Sequence, residues 1–186
     1  MDKKRNILIT VMLLVLIVLV AFFGYSKLKE KKAGNPADTG QSRSVSETDN
    51  KPIDFKITAE NGEVKELKSF RGKPTVINFW ASWCAYCVQE MPDFQEVYNK
   101  YGKDVNFVMI NVVDGQRETE ETGKEFWKEK GYTMPLYFEF NHEATTMLDV
   151  YSFPTTVILD KEGKIALNHP GLMTKEALEN ALKAVE

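Results

Sequence analysis

The stretch from Thr75 to Glu90, TVINFWASWCAYCVQE, limits the folds open to this chain more than any other. Thr75 to Trp80 is β-branched and aromatic and follows a Gly-Lys-Pro turn, so it reads as a buried strand. Val88 to Tyr98 carries helical spacing instead. Cys84 and Cys87, the only cysteines, therefore fall at a strand-to-helix junction. On the first turn of that helix, Cys84 would face unpaired backbone N–H groups and the positive end of the helix dipole, which stabilise a thiolate over a thiol. The two residues between the cysteines let one helical turn close a disulfide.

A bare Cys-x-x-Cys has three readings. Half a structural zinc site needs two further Cys or His ligands, and neither a second Cys-x-x-Cys nor a His-x-x-x-His exists here. A static staple would close a loop too small to restrain the unfolded chain much. A lone pair favours redox chemistry.

Asn78-Phe-Trp-Ala-Ser-Trp-Cys-Ala-Tyr-Cys resembles the active site of thioredoxin-like proteins of the membrane-anchored TlpA/ResA type. The likeness extends to Glu90, followed by Met91-Pro92, which resembles that family's acidic residue near the dithiol. Phe153-Pro-Thr-Thr-Val-Ile-Leu-Asp160 resembles its cis-proline loop and following strand, and Glu162-Gly-Lys-Ile165 the next hairpin. Together these cover most of residues 52–186.

The resemblance implies an α/β thioredoxin-like fold, a central mixed β-sheet flanked by helices with an added N-terminal β-hairpin, preceded by one transmembrane helix. It implies a redox-active disulfide between Cys84 and Cys87 and no other cofactor, with Cys84 the exposed nucleophile and Cys87 the resolving thiol. Pro154, if cis, would set the Phe153 backbone beside the dithiol, where it can pair with an extended substrate and keep metal away. Trp83 would shield the thiolate and offer a flat contact surface, while Trp80 and Pro92 read as structural. Glu90 has three readings: a proton acceptor for the resolving thiol, a negative charge that raises both thiol pKa values, or an exposed surface acid. The partners implied are disulfide-containing exported proteins, such as apocytochrome c, a methionine sulfoxide reductase or a cell-wall enzyme, and an integral-membrane thiol electron donor. Reduction of clients is the favoured direction. Ala85-Tyr86 stands where the family commonly has an acidic or small residue followed by proline, so the redox potential does not carry over.

Charge and hydropathy divide the chain. Residues 1–32 hold seven of the 24 Lys and Arg but only two of the 27 Asp and Glu, leaving 17 basic against 25 acidic side chains afterwards, about −8. That balance opposes nucleic-acid binding. After a basic N-terminus at 1–6, Ile7–Phe23 is almost unbroken Ile, Leu, Val, Met and Phe, and with Thr10, Gly24 and Tyr25 residues 7–25 read as an uncleaved membrane anchor, longer than a signal-peptide core and without a convincing small-x-small cleavage site. No cysteine follows closely enough for lipid attachment. Basic residues on both flanks nearly tie the positive-inside rule, and the family resemblance tips the expectation to a single-pass protein of the cell membrane with its domain outside the cytoplasm. Residues 26–51 are polar and Gly/Pro/Ser-containing, a flexible linker. Residues 52–186 suffice for one domain, expected as a monomer.

Within that domain, Ile53–Thr58 and Val64–Leu67 read as a hairpin around Asn61-Gly62, whose residues would supply positive φ angles. Val105–Val113 is a second buried strand, and strand–helix–strand suggests a parallel pairing. Thr119–Lys130 is an amphipathic helix closed by Gly131, with Trp127 in the core. Pro135–Phe140 is a strand and Glu143–Tyr151 a short helix. Thr155–Asp160 and Lys164–Asn168 form an antiparallel hairpin, and Thr174 caps a last helix to Val185.

Other function classes have weaker signatures. A thiol oxidase that donates its disulfide differs from a reductase by potential alone. A copper-delivery module would need His142 or His169 beside the cysteines, and both read as ordinary surface or turn residues. A peroxidase of the peroxiredoxin kind would need Pro-x-x-x-Thr-x-x-Cys, which Ser82-Trp-Cys lacks.

Overall fold

The computed structural model describes residues 51–185. Seven strands and four helices follow in the order β1 (Lys56–Ala59), β2 (Val64–Glu66), a 3₁₀ turn (Leu67–Phe70), β3 (Thr75–Trp80), α1 (Ala85–Tyr101), β4 (Asn106–Val112), α2 (Glu120–Lys130), β5 (Leu136–Glu139), α3 (Glu143–Met147), β6 (Thr155–Leu159), β7 (Ile165–Pro170) and α4 (Lys175–Lys183). They build one mixed sheet in the order β2-β1-β5-β4-β3-β6-β7. The inner trio β5-β4-β3 is parallel, and the remaining pairings are antiparallel. The N-terminal hairpin thus extends the sheet beyond β5, and the β6–β7 hairpin extends it beyond β3.

The two crossovers step the same way across the sheet, β3 to β4 and β4 to β5, so a common hand sends α1 and α2 to the same face. Their side chains accordingly share one core with that face. Val76 and Trp80 of β3 pack with Cys87, Met91, Phe94 and Val97 of α1, Trp127 of α2, and Leu178 and Leu182 of α4. Trp127 stacks on Trp80 with ring centroids 4.9 Å apart, as core rather than site. The alternate β3 residues, Ile77 and Phe79, face a second core with Ile57, Leu67, Ala144 and Leu148. Every residue of β3 is buried. A strand covered on both sides reads as a continuous apolar run, which is why this one was legible.

Local chemistry sets the boundaries, and it moves several from their sequence-read positions. Only Gly62 takes positive φ in the first hairpin (+85°), while Asn61 instead accepts the Glu63 N–H through its side chain at 3.0 Å. The helix expected from Val88 begins at Ala85, because Cys84 caps it, and ends at Tyr101. Thr119 caps α2 and Gly131, at φ 69°, ends it. The helix expected to reach Tyr151 stops at Met147, where Leu148 caps it and gives its carbonyl to the Asn168 side chain, and Asp149 turns to φ 53°. β7 runs through His169 to Pro170, so His169 is a strand residue rather than a turn residue. Thr174 caps α4 as expected, with its hydroxyl accepting the Ala177 N–H.

The basic N-terminus at 1–6, the expected anchor at 7–25 and the expected linker at 26–51 lie outside the described residues, apart from Lys51. Among the described residues no helix is long and apolar enough to cross a membrane.

Candidate active site

β3 ends at Trp80, and four residues later the chain is already committed to α1. Cys84 holds an extended backbone (φ −83°, ψ 106°) as the cap of the helix, and its sulfur accepts the Cys87 N–H at 3.2 Å. It therefore sits just before the first turn rather than on it. The consequence for the sulfur is the same, since an otherwise unpartnered N–H of the helix end points at it. Cys84 and Cys87 form a disulfide, with Cα atoms 5.2 Å apart. Cys84 is 6% exposed and Cys87 fully buried, so the first cysteine is the more accessible. Its exposure is nonetheless a sliver, narrower than the solvent-facing position read from sequence.

Trp83 projects beside this sliver and is 43% exposed. Its ring centroid lies 6.2 Å from that of Phe153, which brings the Phe153–Pro154 loop against the residue preceding Cys84. The Phe153–Pro154 peptide bond is cis, and the Pro154 carbonyl accepts the Gly171 N–H at 2.8 Å.

Glu90 is not a surface acid. It is 1% exposed, one helical turn beyond Cys87 on the buried face of α1. Asn78 of β3 donates to Oε1 at 2.8 Å, and the Met173 backbone N–H, just before α4, donates to Oε2 at 2.8 Å. Desolvation pushes its pKa up from 4.5 to about 7; the two donors pull it back, and the Asp93 charge adds to the rise. A carboxyl with that affinity exchanges its proton at neutral pH.

Sequence reasoning missed a second carboxylate, Glu118, which is fully buried. Its Oε2 accepts both the Ser82 N–H (3.0 Å) and the Ser82 hydroxyl (2.7 Å), and its Oε1 accepts from Asn111 Nδ2 (2.6 Å). This ties the Cys84 approach to the loop after β4. That same loop lays the Arg117 guanidinium 4.0 Å from the Trp83 ring centroid. No local pattern marks Glu118 or Arg117, because each meets its partner about 35 residues away. Asn78 carried a faint signal, a polar side chain inside an apolar strand.

The two histidines do not join the dithiol in a metal site. His142 is exposed at the start of α3, and His169 lies in β7 with Nε2 donating to the Leu172 carbonyl at 3.3 Å. Among the described residues no group of three or more His, Cys, Asp or Glu side chains is placed to hold a metal. A surface cavity of about 500 Å³ between the first hairpin and the end of α2, lined by Glu60, Lys65, Trp127 and Tyr137 among others, includes none of the site residues.

A disulfide at the junction of a central strand and its following helix, faced by a cis-proline loop, defines the thioredoxin class of dithiol proteins. The Redoxin family model matches residues 32–185, and the chain belongs to that family. It is 31% identical over 189 residues to the thiol-disulfide oxidoreductase ResA of Bacillus thuringiensis subsp. konkukian, covering 100% of this chain and 99% of the relative. It is 29% identical over 186 residues to ResA of Geobacillus kaustophilus, covering 99% and 98%. Among solved structures, the exposed lipoprotein thioredoxin of Streptococcus pneumoniae matches at 30% identity and TM-score 0.64, covering 71% of this chain and 99% of that one. StoA from Bacillus subtilis matches at 27% and 0.61, covering 70% and 97%. The chain is a thiol–disulfide oxidoreductase of the TlpA/ResA type.

Proposed function

We propose that this protein is tethered to the membrane by residues 7–25 and works outside the cytoplasm, reducing disulfides of exported client proteins. The observation that carries the reading is the unequal exposure of the two cysteines: Cys84 at the surface sliver, Cys87 sealed one helical turn before Glu90, whose pKa burial raises to about 7. The Cys84 thiolate attacks one sulfur of the client disulfide, forming a mixed disulfide and expelling the first client thiolate, which takes up a proton. The Cys87 thiol then passes its proton to the Glu90 carboxylate and attacks Cys84 Sγ, closing the Cys84–Cys87 disulfide and expelling the second client thiolate. Two electrons move from the dithiol to the client, and the proton held by Glu90 leaves for solvent.

In this reading Trp83, Phe153 and Pro154 form the substrate-binding rim, with the Phe153 backbone pairing with an extended client segment. The redox-active disulfide is the sole cofactor, the protein acts as a monomer, and an integral-membrane thiol protein returns it to the dithiol state. The apolar length of residues 7–25 and the pneumococcal relative, described as an exposed lipoprotein, support the extracytoplasmic placement.

Direction follows from potential. Equilibration of the full-length protein in defined thiol–disulfide buffers should give a value near about −270 mV, that of thioredoxin. A value nearer about −120 mV, that of a strong oxidant, would make the protein a disulfide donor instead.

A further inference from the structure

Two consecutive residues ahead of the reactive cysteine are cross-linked to two consecutive residues of the loop after β4. Ser82 bonds to Glu118 through its N–H and its hydroxyl, and Trp83 lies under Arg117. The loop is itself braced, since Asp114 Oδ1 accepts the backbone N–H groups of Gln116 (2.8 Å), Arg117 (2.8 Å) and Glu118 (2.9 Å). The Arg117 main chain is therefore held on both sides, by the Asp114 turn before it and by the buried Glu118 after it. Its guanidinium is delivered to the indole face by a fixed frame.

That placement leaves a cation at the mouth of the site with unused capacity. Among the described residues no carboxylate oxygen lies within 4.0 Å of the Arg117 guanidinium. A guanidinium lying flat on an aromatic face keeps its planar N–H edge free for a bidentate carboxylate, and the stacking orients that edge. The nearest acids leave the guanidinium without a paired partner: Asp114, which feels the Arg117 charge, turns Oδ1 to three backbone N–H groups, Glu118 is taken up by Ser82 and Asn111, and the first turn of α1 adds no acidic residue. The chain beyond residue 32 is net acidic, with 17 basic against 25 acidic side chains, so a positive position on Trp83 at the mouth of the site discriminates between partners.

We propose that Arg117 is a specificity-determining residue, selecting partner polypeptides that carry an acidic side chain beside their reactive cysteine. The Trp83–Phe153 pair supplies a sequence-tolerant aromatic rim, and Arg117 supplies the sign of charge that the flanking residue must have. The inference rests on thiol–disulfide exchange in either direction and is independent of the reductive direction proposed above. A half-exposed ion pair of this kind shifts a rate constant by a factor of about 1.5 to 5.

The experiment uses three synthetic peptides, each closed by one disulfide and identical except for Glu, Gln or Lys next to the first cysteine. Second-order exchange rate constants are measured with the full-length chain, from reduced protein with oxidised peptide and from oxidised protein with reduced peptide. The wild type should prefer the Glu peptide over the Lys peptide by about threefold or more, and 0.5 M salt should shrink that ratio. Arg117→Lys should keep the preference, Arg117→Gln should bring the ratio close to one, and Arg117→Glu should invert it. An unchanged ratio in Arg117→Gln overturns the proposal, as does an equal loss on all three peptides, which would make Arg117 only a support for Trp83. Exchange with no peptide in either direction would overturn it together with the oxidoreductase assignment.

Discussion

The two sides of the dithiol are built from opposite materials. On the inner side, Cys87 and Glu90 are sealed between β3 and α1, and the carboxyl is held by Asn78 and the Met173 N–H. On the outer side, Cys84 opens between Trp83, Phe153 and the Arg117 loop, all of which touch solvent. Each side also has its own buried carboxylate, but the two are gripped differently. Glu90 takes one donor on each oxygen, and burial raises its pKa to about 7. Glu118 takes three donors from Ser82 and Asn111 and serves to fix a loop. In the proposed mechanism the inner acid trades a proton, whereas the outer one holds the loop that carries the proposed recognition residue Arg117.

Removing one sulfur at a time should have the largest effect. Cys84→Ser should abolish exchange and capture no partner, while Cys87→Ser should still attack and accumulate the mixed disulfide, read as a covalent adduct on non-reducing gels. Equal trapping by both variants would mean that the two sulfurs are not divided into outer and inner roles.

Glu118→Ala should be the next largest effect, because it strands the buried Asn111 amide and the half-buried Ser82 N–H and hydroxyl. The cost should be about 3 kcal/mol of unfolding free energy, measured by urea titration of the oxidised protein. A loss under about 0.5 kcal/mol would show that the loop is not held by this carboxylate.

Glu90→Gln should act through pH. The folded-state pKa of about 7 lies above the ordinary 4.5, so the folded protein binds the proton more tightly than the unfolded chain does. The associated stability is fully present below about pH 4.5 and is lost as pH rises through 7, a difference of about 3 kcal/mol. The wild type should therefore lose about that much stability relative to Glu90→Gln between pH 4 and pH 8. Parallel curves for the two proteins would remove Glu90 from the inner proton site.

Legibility in the sequence followed the range of the interactions. The Thr75–Trp80 strand, the Thr174 cap and the Gly131 terminus were readable because each rests on neighbours within a few residues, whereas Thr119, read as the first helical residue, is the cap. The cysteines and Pro154 were readable because their short motifs carry the chemistry or the resemblance. The burial of Glu90 was not, since periodicity places it on the face of Cys87 but only β3 and the Met173 segment decide whether water reaches it. Glu118 and Arg117 were invisible for the same reason in stronger form, as their partners Ser82 and Trp83 are joined to them only by the fold. The early start of α1 was missed because cysteine is not a customary cap; here the Cys87 N–H points at sulfur instead of oxygen.

The inner side of the site depends on a buried carboxyl, one turn beyond Cys87, whose pKa is raised to about 7. A ¹³C NMR titration of the Glu90 side-chain carboxyl in the oxidised protein, with Glu90→Gln identifying the resonance, measures it. The expected midpoint is about 7, set by burial between β3 and α1. A midpoint at about 4.5, that of an ordinary glutamate, would contradict it and return Glu90 to the role of a structural acid.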